Sequence, residues 1–518
     1  MFQKIVDMIY KKLEDMDDCY GGIAVSIYAG LDVGTQSTKL VCYDPKDRKM
    51  VVKASSSYGL VSRDDGTREQ EASWYIDAIK DCFSQVPEEI RKDIVAIGVS
   101  GQQHGFVPLD GKGNVIAPVK LWCDTSTATE CEELTKKIGG TEKVFSLIGN
   151  RILPGYTAGK IVAMKEKKLE QYKLLAHILL PHDYVNFYLT GRYVMEAGDA
   201  SGTALFDIRK RVWSKEVLNA IDAEVDWNSL LPEVVSSSSV IGNVLPSIAK
   251  ELGLQDGVKV SAGGGDNMMG AIGTGCVEKG KLTVSMGTSG TLFGYSDTPV
   301  ADPKGCLAGF CSSTNGWLPL LCTMNCTVAT EEVRKLFDMD VKTLDALAGS
   351  EPIGAKGVTM LPYFNGERTP NYPKGKAVLA GFTLDNMTKS AIARASLESA
   401  VYSLRYGLGS FLELGFEPKE IVLTGGGANS PIWRQMVSDC FGLPVSVPAL
   451  SESAAMGAAL QALWACGEEG KDLAVIARRH VAMDEKKGCM PIEGNTVAYK
   501  EAYARFLDYS KALSPMFS

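Results

Sequence analysis

Two acidic residues stand on glycine-rich approaches and could do proton-transfer or metal chemistry. Asp266 lies in GGGDNMMGAIGTG, residues 263–275, with six glycines: Gly263, Gly264, Gly265, Gly270, Gly273 and Gly275. Glycine tolerates positive φ and lets a backbone come close to a ligand, so Asp266 is either a solvated turn acid or a base held against a bound molecule. Asp32 ends the apolar run IAVSIYAGLDVG in the same way. Beside a polyphosphate, one such acid helps to hold Mg2+ and the other accepts a proton from an attacking hydroxyl. The plainer roles are a hairpin-tip acid for Asp32 and a helix N-cap for Asp266, because DNMMGAIG has the character of a helix start. A cap and a base are compatible.

Three loops could cradle phosphate through backbone N–H groups and hydroxyls: Gly34-Thr35-Gln36-Ser37-Thr38-Lys39, Gly287-Thr288-Ser289-Gly290 and Gly425-Gly426-Gly427. None has the GxxxxGK[ST] or GxGxxG spacing, and each alone is more often an ordinary turn. Their specificity comes from occurring together with Asp32 and Asp266. Asn429 and Ser430 follow the third loop and can cap the next helix. In SGQQHG, His104 and Gln103 follow a third strand, where hydroxyl-rich ligands find donors and acceptors; a satisfied core histidine is the commoner alternative. Trp122 in LWCDTST offers an apolar wall and Asp124 a hydroxyl acceptor, against the plain alternatives of a packed aromatic and a turn acid.

The elements that must position these residues read as an α/β fold. IAVSIYAGLDVG and TQSTKLVCYD form a hairpin with a polar tip, IVAIGVSGQQHG a strand broken at glycine, and KVSAGGGD a strand delivering an acid to a loop. EASWYIDAIKDCFSQV is helical, with Ser73 as cap, and ESAAMGAALQALWACG is a helix of small residues suited to close packing. VGTQSTKLV and MGTSGTLFG look like one device used twice, which suggests two similar domains, 27–277 and 278–518, after an N-terminal extension of unknown role at 1–26.

A chain of 518 residues is too long for one core, and 45% hydrophobic with 22% charged residues is the composition of an ordinary globular protein. Its net charge of −8 gives no electrostatic support to a nucleic-acid partner. No run reaches membrane-spanning length, and the acidic first 26 residues lack the pattern of a targeting peptide. Thirteen scattered cysteines suggest reduced thiols in a cytoplasmic protein. Cys306, Cys311, Cys322 and Cys326 cluster, but without CxxC and among apolar neighbours they read as buried strand residues rather than a zinc site.

At these residues the chain resembles the FGGY carbohydrate kinase family. GLDVGTQSTK resembles its first phosphate motif, SGQQHG and LWCDTST its sugar-side motifs, and GGGDNMMGAIGTG its catalytic-acid segment. VSMGTSGTLF, LPYFNGERTP and VLTGGGANSPIWRQMVSDCFGLPV follow in the family's order. The resemblance implies two actin-like, ribonuclease-H-like domains around a cleft, with ATP and Mg2+ as cofactors and a small sugar as substrate. It implies Asp266 as base and, with Asp32, near the metal; Gln103, His104, Trp122, Asp124, Asp266 and Asn267 around the sugar. Thr35, Gln36, Ser37, Lys39, Gly287, Thr288, Gly425, Gly426, Gly427 and Asn429 or Ser430 would lie along the nucleotide. YTAGKIVAMK keeps Tyr156, Thr157 and Lys160 of a family signature but has Ala163 where Trp is usual. The sugar-side letters favour D-xylulose, phosphorylated at its 5-hydroxyl, over ribulose, another ketose, a polyol or gluconate, and family habit implies a homodimer. An actin-like or chaperone-type ATPase is the alternative of another class; it has no reason to carry SGQQHG with NGERTP.

Overall fold

The computed structural model describes residues 26–517, so the stretch read as an N-terminal extension lies, but for its last residue, outside the described residues. Two mixed sheets organise the chain. The first is built on β1 (Ile27–Val33), β2 (Ser37–Asp44), β3 (Lys49–Ser57), β4 (Ile94–Gly101), β5 (Val240–Asn243), β6 (Lys259–Ser261) and the two-residue β7 (Gly264–Gly265). Its order is β5-β6-β4-β1-β2-β3, with β7 also pairing β4. β1, β2 and β3 form an antiparallel meander, and β4 runs parallel to β1. The second sheet holds β8 (Lys281–Met286), β9 (Gly290–Gly294), β10 (Leu320–Thr323), β11 (Glu420–Thr424) and β12 (Val445–Ser446), ordered β10-β9-β8-β11-β12. Here too a three-strand meander is followed by parallel strands on the side of its first strand. The repeated hairpin read from the letters is therefore a repeated sheet.

The helices that matter for the site are α1 (Ala72–Ser84), α2 (Thr157–Lys167), α3 (Pro181–Thr190), α4 (Asp266–Gly273), α5 (Thr327–Leu336), α6 (Pro431–Phe441) and α7 (Ser453–Cys466). Ser73 does not cap α1: the cap position is Glu71, no side chain bonds there, and Ser73 is inside the first turn. Asp266 is likewise not the cap of α4 but its first helical residue, with Gly265 before it. Ser430 does cap α6, its hydroxyl accepting from Trp433 N at 3.3 Å.

The small residues of α7 allow a crossing that side chains would forbid. A Cβ on Gly457 would lie 1.8 Å from the Met269 carbonyl of α4, and one on Gly273 would lie 1.8 Å from that of Ser453. Gly30 of β1 and Gly98 of β4 meet the carbonyls of Ala455 and Ala458 as closely, at 1.8 and 2.0 Å. Thus a helix from the second half of the sequence lies directly on the central strands of the first sheet. Gln461, fully buried in that helix, accepts from Ser261 Oγ at 2.9 Å and from Gly263 N at 2.8 Å, and donates to Gly263 O at 2.8 Å. Among the described residues no helix is long and apolar enough to cross a membrane.

Candidate active site

The carboxyl ends of three adjacent strands build the site, as is general for open α/β sheets. β4 is the centre. On one side Asp32 of β1 is in register with Ser100, whose hydroxyl donates to Asp32 Oδ1 at 2.8 Å. On the other, Gly264 and Gly265 of β7 pair with Ser100 and Gly101 and lead straight into Asp266. The glycines make room for the neighbouring side chains: a Cβ on Gly264 would meet Ser313 Oγ at 2.2 Å and one on Gly265 would meet Gln103 Cγ at 2.6 Å. Gln102, Gln103 and His104 then leave the end of β4 itself.

Asp266 Oδ1 accepts from its neighbour Asn267 through N at 2.8 Å and Nδ2 at 3.0 Å, and Asn267 Nδ2 also reaches Gln103 Oε1 at 3.1 Å. Burial, reinforced by the charge of Asp32, pushes the Asp266 carboxyl up to about 7, despite the bonds from Asn267. Burial also raises Asp32, against the Ser100 bond and Lys39. Asp266 is thereby poised between proton acceptor and donor near neutrality.

His104 has a left-handed backbone, φ 65°, and its carbonyl accepts from Lys160 Nζ at 2.6 Å and Thr157 Oγ1 at 3.2 Å, both on α2. Lys160 also donates to Gly155 O at 2.7 Å, and burial lowers it to about 7. The His104 ring packs against Tyr156 and Phe310, with centroids 4.6 and 5.7 Å away. Burial, with the charges of Lys160 and Arg368, holds it well below its ordinary range, so the ring is neutral and able to exchange hydrogen bonds with uncharged hydroxyls.

Gln103, His104, Trp122, Asp266 and Asn267 share one cavity of about 570 Å³, a volume suited to a small ligand. Asp124 does not line it. Its carboxylate is fully buried and taken by Arg68 N at 2.8 Å, Lys120 Nζ at 3.1 Å and Ser126 Oγ at 2.7 Å, so it anchors a turn instead of facing ligand. Thr35 stands behind the wall, its hydroxyl accepting from Trp122 Nε1 at 2.9 Å and donating to Gln102 Oε1 at 3.1 Å. Lys39 pairs with Glu452 at 2.7 Å, Gln36 is exposed, and Ser37 is held in register with Ser57.

On the second sheet, the carbonyls of Gly287 and Thr288 accept from Thr327 N and Cys326 N, both at 3.0 Å, which docks the β8–β9 turn on the start of α5. Thr288 is exposed at the tip. Gly425, at φ 83°, and Gly427 pack on Met286 at the end of β8, where a Cβ would lie 2.6 Å from the Met286 carbonyl and 2.8 Å from its Cβ respectively. Gly425, Gly426 and Gly427 are thus brought next to the Gly287–Thr288 turn but outside the cavity. Ser430 is consumed by its cap, whereas Asn429 is exposed.

Sequence reasoning missed Phe310, Ser285, Thr291 and the ligand-facing place of the thiols Cys306 and Cys322, whereas Tyr156 of YTAGKIVAMK, Ser289 of the second glycine loop and Arg368 of NGERTP line the cavity from motifs that it singles out. Ser285 and Thr291 carried a signal, since alternation along the second hairpin puts them on one face. Cys306 and Cys322 are partly exposed, so only Cys311 and Cys326 of that group are core residues; the described cysteines are free thiols, and the only metal-capable cluster among the described residues is His182, Asp183 and Asp199. That cluster fits no cation, because both ring nitrogens of His182 face a carboxylate, Asp183 at 2.9 Å and Asp199 at 2.6 Å.

Paired catalytic-type acids at the mouth of one sheet, facing a second sheet of the same plan, define an actin-like two-sheet phosphotransferase. The family model described as "FGGY family of carbohydrate kinases, N-terminal domain" matches residues 27–273, and its C-terminal counterpart matches residues 282–466. The chain belongs to the FGGY family of carbohydrate kinases and is a sugar phosphotransferase. It is similar to the xylulose kinase of Haemophilus influenzae, 40% identical over 494 residues that cover 94% of this chain and 100% of the relative. It is similar also to that of Bacillus subtilis, 34% identical, covering 85% and 88% of the two chains. Of solved structures, the xylulose kinase from Bifidobacterium adolescentis superposes with a TM-score of 0.78 at 29% identity, over 92% of this chain and 99% of the other.

Proposed function

We propose that this protein transfers the γ-phosphoryl group of ATP to the 5-hydroxyl of D-xylulose. The observation that carries the reading is Asp266, a half-enclosed carboxylate raised to about 7 in the cavity that also holds Gln103, His104 and Asn267. The two relatives, at 40% and 34% identity, are xylulose kinases, which supports the choice of sugar. Asp266 takes the hydroxyl proton as the oxygen attacks; Asn267, bonded to both Asp266 and Gln103, orients it; and neutral His104 with Gln103 holds the sugar oxygens. The apolar walls of Trp122, Tyr156 and Phe310 exclude water that would otherwise accept the phosphoryl group.

Asp32 and Asp266 would hold an Mg2+ ion carried with ATP, whose charge would offset the part of the raising of Asp266 that comes from the charge of Asp32. When bound, that ion neutralises phosphate charge. The turns at Thr35–Lys39 and Gly287–Thr288 would hold phosphates, and Gly425, Gly426, Gly427 and exposed Asn429 the nucleoside. The two domains divide near residue 277, and the protein is a cytoplasmic homodimer; sedimentation velocity checks the dimer.

An ADP-release assay across D-xylulose, D-ribulose, polyols and gluconate tests the substrate. The highest kcat/KM belongs to D-xylulose; a polyol or gluconate in first place contradicts the proposal.

A further inference from the structure

A cation-bearing loop enters the cavity from the second half of the chain. The turn at residues 364–375 is closed by reciprocal Glu367–Tyr372 backbone bonds of 2.8 and 2.9 Å. Glu367 is 2% exposed at the cavity wall, and its carboxylate is engaged by the protein: it accepts from Met324 N at 2.6 Å, Asn325 Nδ2 at 3.1 Å and Arg368 N at 2.8 Å. The loop is therefore pinned to the segment between β10 and α5, and the next side chain, Arg368, points into the cavity.

Arg368 has unspent donors there. Among the described residues only its backbone N–H is in a hydrogen bond, and no carboxylate pairs with its guanidinium, although a guanidinium carries five N–H donors. Its location within the cavity is also fixed. Nη2 lies 3.7 Å from where a Cβ of Gly155 would stand, beside the Trp122 carbonyl, and its charge acts on His104 and Tyr156. The charges that dominate Asp266 come instead from Asp32 and Asp199. Arg368 thus stands beside Gly155 and Trp122, at the His104–Tyr156 end of the cavity.

We infer that Arg368 is a sugar-binding residue supplied by the second half of the chain, its guanidinium gripping oxygens of the uncharged sugar at the end remote from the hydroxyl that Asp266 addresses. The inference deepens the proposed function and rests on its placement of the sugar in this cavity. A planar fork donating to two neighbouring oxygens suits the hydroxyl and carbonyl end of a ketose. Because Arg368 and His104 come from different halves, sugar held between them also ties the two together.

The test uses Arg368→Met and Arg368→Lys in the full chain, with the sugar that the wild-type enzyme turns over best and with ATP varied independently. Arg368→Met raises the sugar KM, and the sugar Kd by calorimetry, at least tenfold while the ATP KM stays within twofold; Arg368→Lys recovers part of the loss. A sugar KM within threefold of wild type in Arg368→Met, or an ATP KM that rises as much as the sugar KM, overturns the inference. Should Arg368→Met fail to fold, Arg368→Lys with a wild-type sugar KM overturns it equally. Failure of the D-xylulose assignment appears separately, as a different best sugar for the wild-type enzyme.

Discussion

Asp32 and Asp266 straddle the carboxyl end of a single strand: Asp32 lies in register with Ser100, and Asp266 follows the Gly265 that pairs with Gly101. Burial, reinforced by repulsion between the two carboxylates, makes Asp266 a base of matched strength. In the folded chain Asp266 rises from an ordinary 3.8 to about 7, so between those values the folded state binds more protons than the unfolded state. Stability from this group is full below pH 3.8 and is lost as pH rises through 7. Asp266→Asn keeps the acceptor for Asn267 without the charge. In the absence of nucleotide and metal it is predicted to be more stable than wild type at pH 8 by about 1–3 kcal/mol, with the gain vanishing toward pH 4. Urea unfolding at the two pH values checks this.

Gln461 of α7 closes both backbone groups of Gly263, three residues before Asp266. Gln461→Leu leaves Gly263 N–H, its carbonyl and Ser261 without partners in a buried place. The expected loss is on the order of 3 kcal/mol, measured by equilibrium unfolding, because orphaned buried groups cost about 1–3 kcal/mol each and partial relaxation recovers some. Turnover falls with it, as the strand that delivers Asp266 loosens.

Gly457→Ala tests the crossing of α4 and α7. With the Met269 carbonyl 1.8 Å from the added methyl, the helices must separate, and α4 begins with Asp266. We expect a loss of about 3 kcal/mol or more, read as a lowered melting temperature. Wild-type stability in the Gly457→Ala variant would mean that the crossing is looser than described.

Lys160 holds the carbonyl of His104, whose backbone is in the left-handed region. Lys160→Met is predicted to raise the sugar KM about tenfold with a smaller change in kcat. The pH dependence of stability also changes. Lys160 falls from 10.5 to about 7 in the folded chain, so between these values the unfolded chain binds the extra proton and wild-type stability gains as pH rises. The difference between wild type and Lys160→Met in unfolding free energy therefore grows from pH 7 to pH 10.

Much of this was legible in the letters because strand ends and glycine turns are local signals. The duplicated hairpin, Asp32, Asp266, Gln103, His104 and the small-residue helix all follow from short runs. The misplaced residues depended on long-range partners. In the letters Asp124 reads as a hydroxyl acceptor for the sugar, but Lys120 and the backbone of Arg68 consume it. Ser73 lost its cap position by two residues, a shift that no local preference decides. NGERTP pairs with SGQQHG in the letters, but that Arg368 is the residue of it with an unpaired guanidinium in the cavity depended on the fold. Of the nucleotide-side residues, Ser430 was resolved as a cap because α6 starts at Pro431.

In the proposed reaction Asp266 is the base for phosphoryl transfer to a sugar bound beside it. The most direct measurement of that role compares wild type and Asp266→Asn for D-xylulose binding by calorimetry and for sugar-dependent ADP release at saturating ATP. Sugar binding is predicted to stay within about threefold of wild type while turnover falls by about 10²–10⁴-fold, the range of general-base contributions. Near-normal turnover in Asp266→Asn, or ADP release that does not respond to sugar in the wild-type enzyme, would contradict it.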